Sequence, residues 1–274
     1  MTERASSGKP AEDAELPPIL AAKEHAAPSV FRAANLLREA RRQKGLALAR
    51  VPDICVLDPD GDLDTELRRS GRAQLDASWA CYHTSLSRFR IDEEEVGLLP
   101  RAVGASFAVL EAEQLFAAGC RLLVSITSAG QIKDLGATPY FILIDRALRD
   151  EGTSYHYLPP AAFVEAPRDL VAAVAPALTG IGEPVERGAT WTTDAPYRET
   201  ERAIAAARAR GILAVEMEAA GLYAFAQAHG KAVLCFAHVT NQMGQAGDFE
   251  KGEANGATTA LRLVAAVATA RFPI

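Results

Sequence analysis

The chain has 274 residues, of which 49% are hydrophobic and 23% charged, and its formal net charge is −6. This composition is ordinary for a globular protein, and a chain of this length can bury a large core without disulfides or metal ions. The acidic balance argues against a nucleic-acid backbone as partner, since that partner requires a basic surface. Without a long apolar run or a secretory signal, we expect a cytoplasmic protein with no membrane partner.

The cysteines and histidines give no sign of a metal centre. The cysteines form no CxxC pair and lie in apolar or mixed segments, which favours buried, reduced thiols. The five histidines show no paired spacing typical of zinc ligands. We therefore expect no metal site and no cofactor.

The amino-terminal part of the chain predicts a tail followed by a helix. Residues 1–28 are rich in Ala, Glu, Pro and Ser without a sustained apolar period, which predicts a flexible tail. Residues 29–274 are then expected to form a single domain. Residues 30–50 place apolar and basic side chains at helical spacing, and Gly45 is a suitable stop for this helix.

The rest of the chain alternates apolar runs with amphipathic segments. Strands are predicted at 53–57, at 120–126 and at 231–240, with a strand and turn at 96–104 and an edge hairpin around Arg90–Glu94. Helices are predicted at 105–119, 198–210, 216–229 and 257–271, an acidic turn at 58–64 and a small-residue turn at 127–130. This alternation indicates an α/β domain with a central mixed, partly parallel sheet flanked by helices.

Polar residues follow several of the predicted strands, where ligands gather in such sheets. Thr127, Ser128 and Gly130 belong to a turn whose small residues and free amides suit an oxyanion or a sugar hydroxyl, although a plain turn explains them equally well. Asn241 and Asp248 lie in the loop after the last predicted strand.

Two acids stand at the predicted start of an apolar helix. Glu216 and Glu218 flank Met217, and acids at this position suit the positive end of the helix dipole. Apolar residues on both sides make this a costly place for solvated carboxylates. We therefore expect one of the two acids to bind a specific partner, such as ribose hydroxyls.

Four segments, in this order, resemble the nucleoside phosphorylase family, which includes purine and uridine phosphorylases and related nucleosidases. They are the VGAS turn at 103–106, the SAG turn at 128–130, the segment TWTTDAPYRET at 190–200 and AVEMEAAGLYAFA from residue 214. The last is the strongest element, and the resemblance covers roughly residues 51–271.

The resemblance implies roles for individual residues. Glu218 would accept hydrogen bonds from the ribose 2′- and 3′-hydroxyls and Met217 would pack against the sugar, while Glu216 binds ribose or serves the structure. A carboxylate beside the ring favours an oxocarbenium-like transition state. The segment that recognises the base would contribute Thr193, Asp194, Tyr197 and Arg198, although the solvated start of a helix explains the last equally well.

The sequence departs from the family where phosphorylases bind phosphate as co-substrate. They use a Gly-Asp-Pro-x-Arg loop, and residues 57–61 lack its glycine and arginine; a second arginine is replaced by Ser125. The related nucleosidases use water and an acid near this loop, for which Asp58, Asp60 and Asp62 are candidates. Phosphorolysis of a nucleoside is the first expectation and hydrolysis the alternative, with Arg88, Arg90 and Arg101 as replacement phosphate ligands.

The residue expected to protonate the leaving base also differs. Purine-cleaving relatives place an aspartic acid after the last central strand, where this chain has Asn241. Asparagine donates a hydrogen bond but is not a general acid, so either Asp248 assists or the base leaves without full protonation. A pyrimidine or a 6-oxopurine is then favoured over adenine. His238, in an apolar strand, is expected to be a core residue.

Two further expectations concern partners. The family implies a homo-oligomer, a dimer or a hexamer, in which one subunit completes the site of its neighbour. A non-catalytic nucleoside-binding protein on the same scaffold remains an alternative, since a fold does not determine an activity.

Overall fold

The structure is a computed structural model that describes residues 16–243 and 249–270. Its helices are α1 (Ala33–Lys44), α2 (Asp62–Arg69), α3 (Ala105–Ala117), α4 (Ser154–Tyr157), α5 (Arg168–Val174), α6 (Glu201–Ala209), α7 (Ala219–His229) and α8 (Ala257–Thr269). Its strands are β1 (Ile54–Asp58), β2 (Gln74–Leu75), β3 (Ser87–Ile91), β4 (Glu94–Pro100), β5 (Leu122–Gln131), β6 (Tyr140–Asp150), β7 (Phe163–Glu165), β8 (Val185–Thr193), β9 (Ile212–Glu216) and β10 (Ala232–Asn241).

The strands of the described residues form one mixed sheet in the order β10-β6-β8-β9-β5-β1-β4-β3-β2, with β7 added beside β6. Strand β10 also pairs with β5 in parallel, so the path through β5, β9, β8, β6 and β10 closes on itself. The predicted α/β architecture with a mixed sheet is confirmed. Closure brings the carboxyl ends of β1, β5, β9 and β10 close together.

Helix α7 is buried against this sheet and against α3. Its residues from Ala219 to Ala226 are all buried, and Gly221 allows the two helices to approach closely. A Cβ atom at Gly221 would lie 2.9 Å from the Cβ of Ala105. Gly221 is therefore required by the packing of α7 against α3. Within the described residues, no helix has both the length and the apolar character needed to cross a membrane.

The amino-terminal elements agree with the sequence in outline. Helix α1 lies inside the predicted segment and ends at Gly45, whose φ of 66° is left-handed. Residues 1–15 lie outside the described residues. Later residues of the predicted tail contact the domain. Lys23 donates a hydrogen bond to His156 Nδ1, and His25 Nε2 lies 3.2 Å from the carbonyl oxygen of Tyr155. The division at residue 28 stays a prediction.

Two predicted turns are different in the structure. The acidic stretch turns only through residues 59–61, and Asp62 already begins α2 because the Asp58 carboxylate accepts the N–H of Asp64. The small-residue segment 127–130 is not a turn but the end of β5. It stays extended because Gly130 pairs with both β10 and β9, which no local pattern reveals.

Two helix starts were predicted too early. Glu216 ends strand β9 and is not in a helix; α7 begins after Glu218, which occupies the position before the first helical residue. The helix predicted from residue 198 begins at Glu201, where the hydroxyl of Thr200 accepts the N–H of Ala203. The predicted edge hairpin is confirmed as β3 and β4.

Candidate active site

Glu218 is a buried carboxylate at the amino end of α7, where only 1% of the residue is exposed. The backbone N–H of Gly104 donates to Oε1 at 2.7 Å, and the hydroxyl of Thr127 donates to Oε2 at 2.7 Å. Burial, together with the charge of Glu216, raises the pKa of Glu218 to about 7. Hydrogen-bond donors on a ligand would favour the ionised form of this group.

Gly104 has the conformation that its contact with Glu218 requires. It precedes α3 with φ 87° and ψ 147°, a region of backbone space that is nearly restricted to glycine. Its N–H lies at the beginning of the helix, where no carbonyl of an earlier turn is available, and the carboxylate satisfies it. The VGAS segment was recognised in the sequence, but this contact was not.

Glu216 is 2% exposed, and both of its carboxylate oxygens accept hydrogen bonds from protein groups. Oε1 accepts the hydroxyls of Thr190 at 3.0 Å and Thr192 at 2.5 Å. Oε2 accepts the backbone N–H groups of Glu218 at 2.7 Å and Ala219 at 2.8 Å. These four bonds support the structural role that the sequence left open for Glu216, because they hold the first turn of α7 and hence Glu218.

Asp60 lies beside the same part of β5 as Glu218. The backbone N–H of Ser128 donates to Asp60 Oδ2 at 3.2 Å, and the Ser128 hydroxyl donates to Oδ1 at 3.0 Å. The adjacent residues Thr127 and Ser128 thus bind two different carboxylates, Glu218 and Asp60. The Thr127 hydroxyl holds Glu218, and its expected service to phosphate or water stays a prediction.

Asp58 caps helix α2. Its carboxylate accepts the backbone N–H groups of Gly61 at 3.2 Å and Asp64 at 2.9 Å. Burial raises its pKa to about 7, assisted by the charges of Asp60 and Asp62, although the two backbone donors oppose the shift. Its contacts explain the shape of residues 58–64, which we call the acidic loop.

Lys251 reaches across to the acidic loop from the segment after β10. Its ammonium lies 2.5 Å from Asp62 Oδ2 and 3.9 Å from Asp60 Oδ2. Burial lowers the pKa of Lys251, but the hydrogen bond to Asp62 and the charges of Asp60, Asp62 and Asp58 outweigh it and raise the pKa. No motif in the sequence points to this lysine. Within the described ranges, no three His, Cys, Asp or Glu side chains are grouped to hold a metal.

A small cavity, which we call the acceptor cavity, lies between the acidic loop, β5 and β10. It offers about 20 Å³ to the centre of a water molecule, which is room for about one water. The polar side chains that line it are those of Asp58, Asp60, Asp62, Thr127, Ser128, His238 and Asn255. The three aspartates that the sequence offers as candidates to activate water therefore line one cavity.

Asn241 and Gly130 meet where β5, β9 and β10 converge. Asn241 Nδ2 lies 3.5 Å from the carbonyl of Ala129, and its Oδ1 accepts the N–H of Met243 at 3.0 Å. A Cβ atom on Gly130 would lie 2.7 Å from Met243 Sδ and 3.3 Å from Asn241 Oδ1. Gly130 is thus required for close packing. Asp248, the other candidate to assist the leaving group, lies outside the described residues.

The segment predicted to recognise the base runs from the end of β8 onto the surface. Thr193 is buried and its hydroxyl accepts the N–H of Ala195, while Asp194 accepts the N–H of Gly152. Tyr197 is 99% exposed, and Arg198 is exposed beside it. Met217 is partly exposed next to Glu218. None of the hydrogen bonds found in the described residues joins Tyr197 or Arg198 to Glu218.

The structure separates the arginines considered as replacement phosphate ligands. Arg88 is bound to Asp76 at 2.7 Å and Glu95 at 2.6 Å, within the β3–β4 region. Arg90 pairs with an acid of its own hairpin. Arg101 alone of the three contacts the acidic loop, because its side chain packs against Gly61.

Comparisons with known proteins agree with this architecture. The family model of the Phosphorylase superfamily matches residues 80–269. Uridine phosphorylase from Vibrio fischeri ES114 superposes with a TM-score of 0.64 and 17% identity, over 82% of this chain and 92% of that one. The complex of the same enzyme with 6-hydroxy-1-naphthoic acid superposes with a TM-score of 0.63 and 18% identity, over 82% of this chain and 91% of that one. Among curated proteins there is no significant match.

The family match covers more than half of the chain, and the chain therefore belongs to the Phosphorylase superfamily. This confirms the resemblance drawn from the sequence. The solved structures, at this low identity, show a shared fold.

Proposed function

We propose that the chain cleaves the N-glycosidic bond of a nucleoside and transfers the ribosyl group to water. The observation that carries this proposal is the pair of adjacent residues Thr127 and Ser128, which hold Glu218 on one side and Asp60 on the other. A sugar that contacts Glu218 would have the acceptor cavity beside it. The two carboxylates are thus suited to the two halves of one displacement reaction.

The ribose side of the reaction rests on Glu218. In its ionised form it accepts hydrogen bonds from ribose hydroxyls, and it stabilises the positive charge that develops on the ring as the bond breaks. With a pKa of about 7, it is available as a carboxylate near neutral pH. Hydroxyl contacts also orient the ring for attack, which lowers the entropic part of the barrier.

The acceptor side favours water over phosphate. Asp58, Asp60 and Asp62 line the acceptor cavity, and Lys251 contacts two of them. A phosphate dianion would be repelled by these carboxylates and would compete with Asp60 for the N–H and hydroxyl of Ser128. Water is neutral and donates hydrogen bonds to carboxylates, so the same lining suits it.

In the proposed reaction, water replaces the base at C1′ of the ribose. The bond between C1′ and the base nitrogen breaks and its electron pair leaves with the base. The water oxygen forms the new bond to C1′, and one water proton passes to Asp60, the general base. The base takes up a proton from solvent, assisted by a hydrogen bond from Asn241. The products are free base and free sugar, and no cofactor takes part.

The base stays a prediction, with a pyrimidine or a 6-oxopurine favoured because Asn241 is not an acid. The structural likeness to an enzyme that is named a uridine phosphorylase is in line with this choice. Recognition through Thr193, Asp194, Tyr197 and Arg198 is part of the proposal. The homo-oligomer expected from the sequence is likewise part of the proposal.

Phosphate is the second candidate acceptor, because the side chain of Arg101 packs against Gly61 of the acidic loop. Release of free base from a panel of purine and pyrimidine nucleosides, with and without phosphate, tests the proposal. Equal release without phosphate supports hydrolysis, and a requirement for phosphate supports phosphorolysis. Binding without release in either condition would make the chain a nucleoside-binding protein and contradict the proposal.

A further inference from the structure

His238 has a buried ring nitrogen that no protein group satisfies in the described part of the chain. It belongs to β10, is 6% exposed and lines the acceptor cavity. Its Nε2 atom is buried, and residues 16–243 and 249–270 provide no hydrogen-bond partner for it. An unsatisfied buried nitrogen costs stability, so a residue of this kind at a cavity indicates a bound partner.

Packing fixes the orientation of this ring. On one side it stacks on Phe141 with a centroid distance of 4.4 Å and an interplanar angle of 4°. Gly256 packs against its edge, since a Cβ atom at Gly256 would lie 2.2 Å from His238 Cε1. The ring therefore does not turn to find another partner, and its free nitrogen stays in one place.

We propose that His238 is a further catalytic residue, which holds the attacking water in the acceptor cavity through Nε2. This inference rests on the proposed hydrolytic function. One O–H of the water donates to Asp60, which takes that proton, and the other O–H donates to His238. The remaining lone pair of the oxygen then faces C1′, and the water is oriented before the glycosidic bond breaks.

The size and charge of the cavity support this assignment. The space of about 20 Å³ admits about one water, and the lining supplies several polar partners, as an ordered buried water requires. Burial, with the charge of Lys251, lowers the pKa of His238 to about 4. The uncharged imidazole has one nitrogen without a proton, and the assignment requires that nitrogen to be Nε2.

The test uses two variants of the full chain. His238→Phe keeps a flat ring that stacks on Phe141 and removes both nitrogens, whereas His238→Gln keeps a polar group at a similar distance from the backbone. We expect His238→Phe to lower kcat for hydrolysis at least 10-fold, with the nucleoside KM changed less than threefold. In water–methanol mixtures it should also change the ratio of free sugar to methyl riboside. His238→Gln should recover part of kcat.

The outcomes separate this inference from the proposed function. If the wild type hydrolyses nucleosides and His238→Phe retains its kcat and product ratio, the role of His238 is wrong. If the wild type hydrolyses no nucleoside, the proposed hydrolysis is wrong. The water site is then tested by a crystal structure that resolves water. A water within hydrogen-bond distance of both His238 Nε2 and Asp60 supports the site, and its absence overturns the site.

Discussion

The backbone N–H of Glu218 donates to the carboxylate of Glu216 at 2.7 Å, so one acid of the Glu-Met-Glu segment holds the backbone of the other. The two side chains extend into different surroundings. Glu216 binds threonine hydroxyls and the first turn of α7, whereas Glu218 binds Gly104 and Thr127 next to the acceptor cavity. Their substitutions are therefore expected to have different effects.

Glu218→Gln is expected to lower base release about 100-fold or more, because it removes the charge that stabilises the oxocarbenium ion. The fold should persist, since the Thr127 hydroxyl can accept a hydrogen bond from the new amide while Gly104 donates to the new carbonyl. Steady-state kinetics with a cleaved nucleoside, beside a thermal melt, measure both effects. A variant that is folded and fully active would contradict the role of Glu218.

Glu216 provides the matched control. In Glu216→Gln the amide can donate to Thr190 and Thr192, whose hydroxyls reverse, while the carbonyl still accepts both backbone N–H groups. Because the reversed hydroxyls lose the Glu216 oxygen as their acceptor, the free energy of unfolding should fall by about 1–2 kcal/mol, while kcat stays close to wild type. Glu216→Ala leaves the two N–H groups unsatisfied and should cost about 2–4 kcal/mol in the free energy of unfolding. A large loss of kcat in a stable Glu216→Gln protein would show that this acid contacts the sugar.

The raised pKa of Glu218 predicts opposite pH dependences for stability and activity. Folding raises the pKa from the ordinary 4.5 to about 7, so the folded protein binds the proton more tightly. The contribution of protonated Glu218 to the free energy of unfolding is on the order of 3 kcal/mol. It is fully present below pH 4.5 and is lost as the pH rises through 7. Activity, which requires the carboxylate, should rise over the same range.

Thermal melts between pH 5 and pH 8 test this prediction, with Glu218→Gln as the reference. The Tm of the wild type should fall relative to that of the variant as the pH rises. Asp58, whose pKa is also raised to about 7, contributes in the same direction to both proteins and cancels in the comparison. If the wild-type Tm rose relative to that of the variant with increasing pH, the pKa of Glu218 would not be raised in the folded protein.

The sequence predicted those parts of the fold and site that depend on local pattern. Apolar periodicity and Gly45 identified α1, and the Glu-Met-Glu segment identified Glu218. Local pattern placed the boundary between β9 and α7 wrongly, because the apolar run around Glu216 fits a buried strand and a buried helix equally well. The end of β5 was missed because its extended shape comes from pairing with β9 and β10.

Contacts between distant parts of the chain had no signal in the sequence. Gly104 and Glu218 are 114 residues apart, and Lys251 and Asp62 are 189 residues apart. Such pairs depend on closure of the sheet, which sets β1, β5 and β10 side by side. The apolar strand around His238 predicts a core residue. Only the packed structure shows that its Nε2 has no partner in the described residues.

Asp60→Asn is expected to lower hydrolysis about 100-fold to 10,000-fold, the range typical of losing a general base. Asparagine keeps the shape of the side chain and still accepts one hydrogen bond from Ser128. Base release without phosphate measures the effect. Glu66→Gln, on α2 but outside the acceptor cavity, is the control and should keep wild-type activity. If Asp60→Asn cleaved nucleosides as fast as that control, another group would be the base.

Lys251→Met is expected to lower the free energy of unfolding by about 1–2 kcal/mol, because it leaves Asp60 and Asp62 without the cation that contacts them. The loss should exceed that of a surface ion pair since Lys251 is partly buried, and it should shrink at high salt. Lys133→Met, which removes an exposed lysine, is the matched control. Urea unfolding at pH 7 in low and high salt compares the two. Equal stability of both variants would mean that Lys251 adds nothing to the acidic loop. In that case the Asp58 cap of α2 and the hydrogen bonds from Ser128 to Asp60 would hold the acidic loop without Lys251.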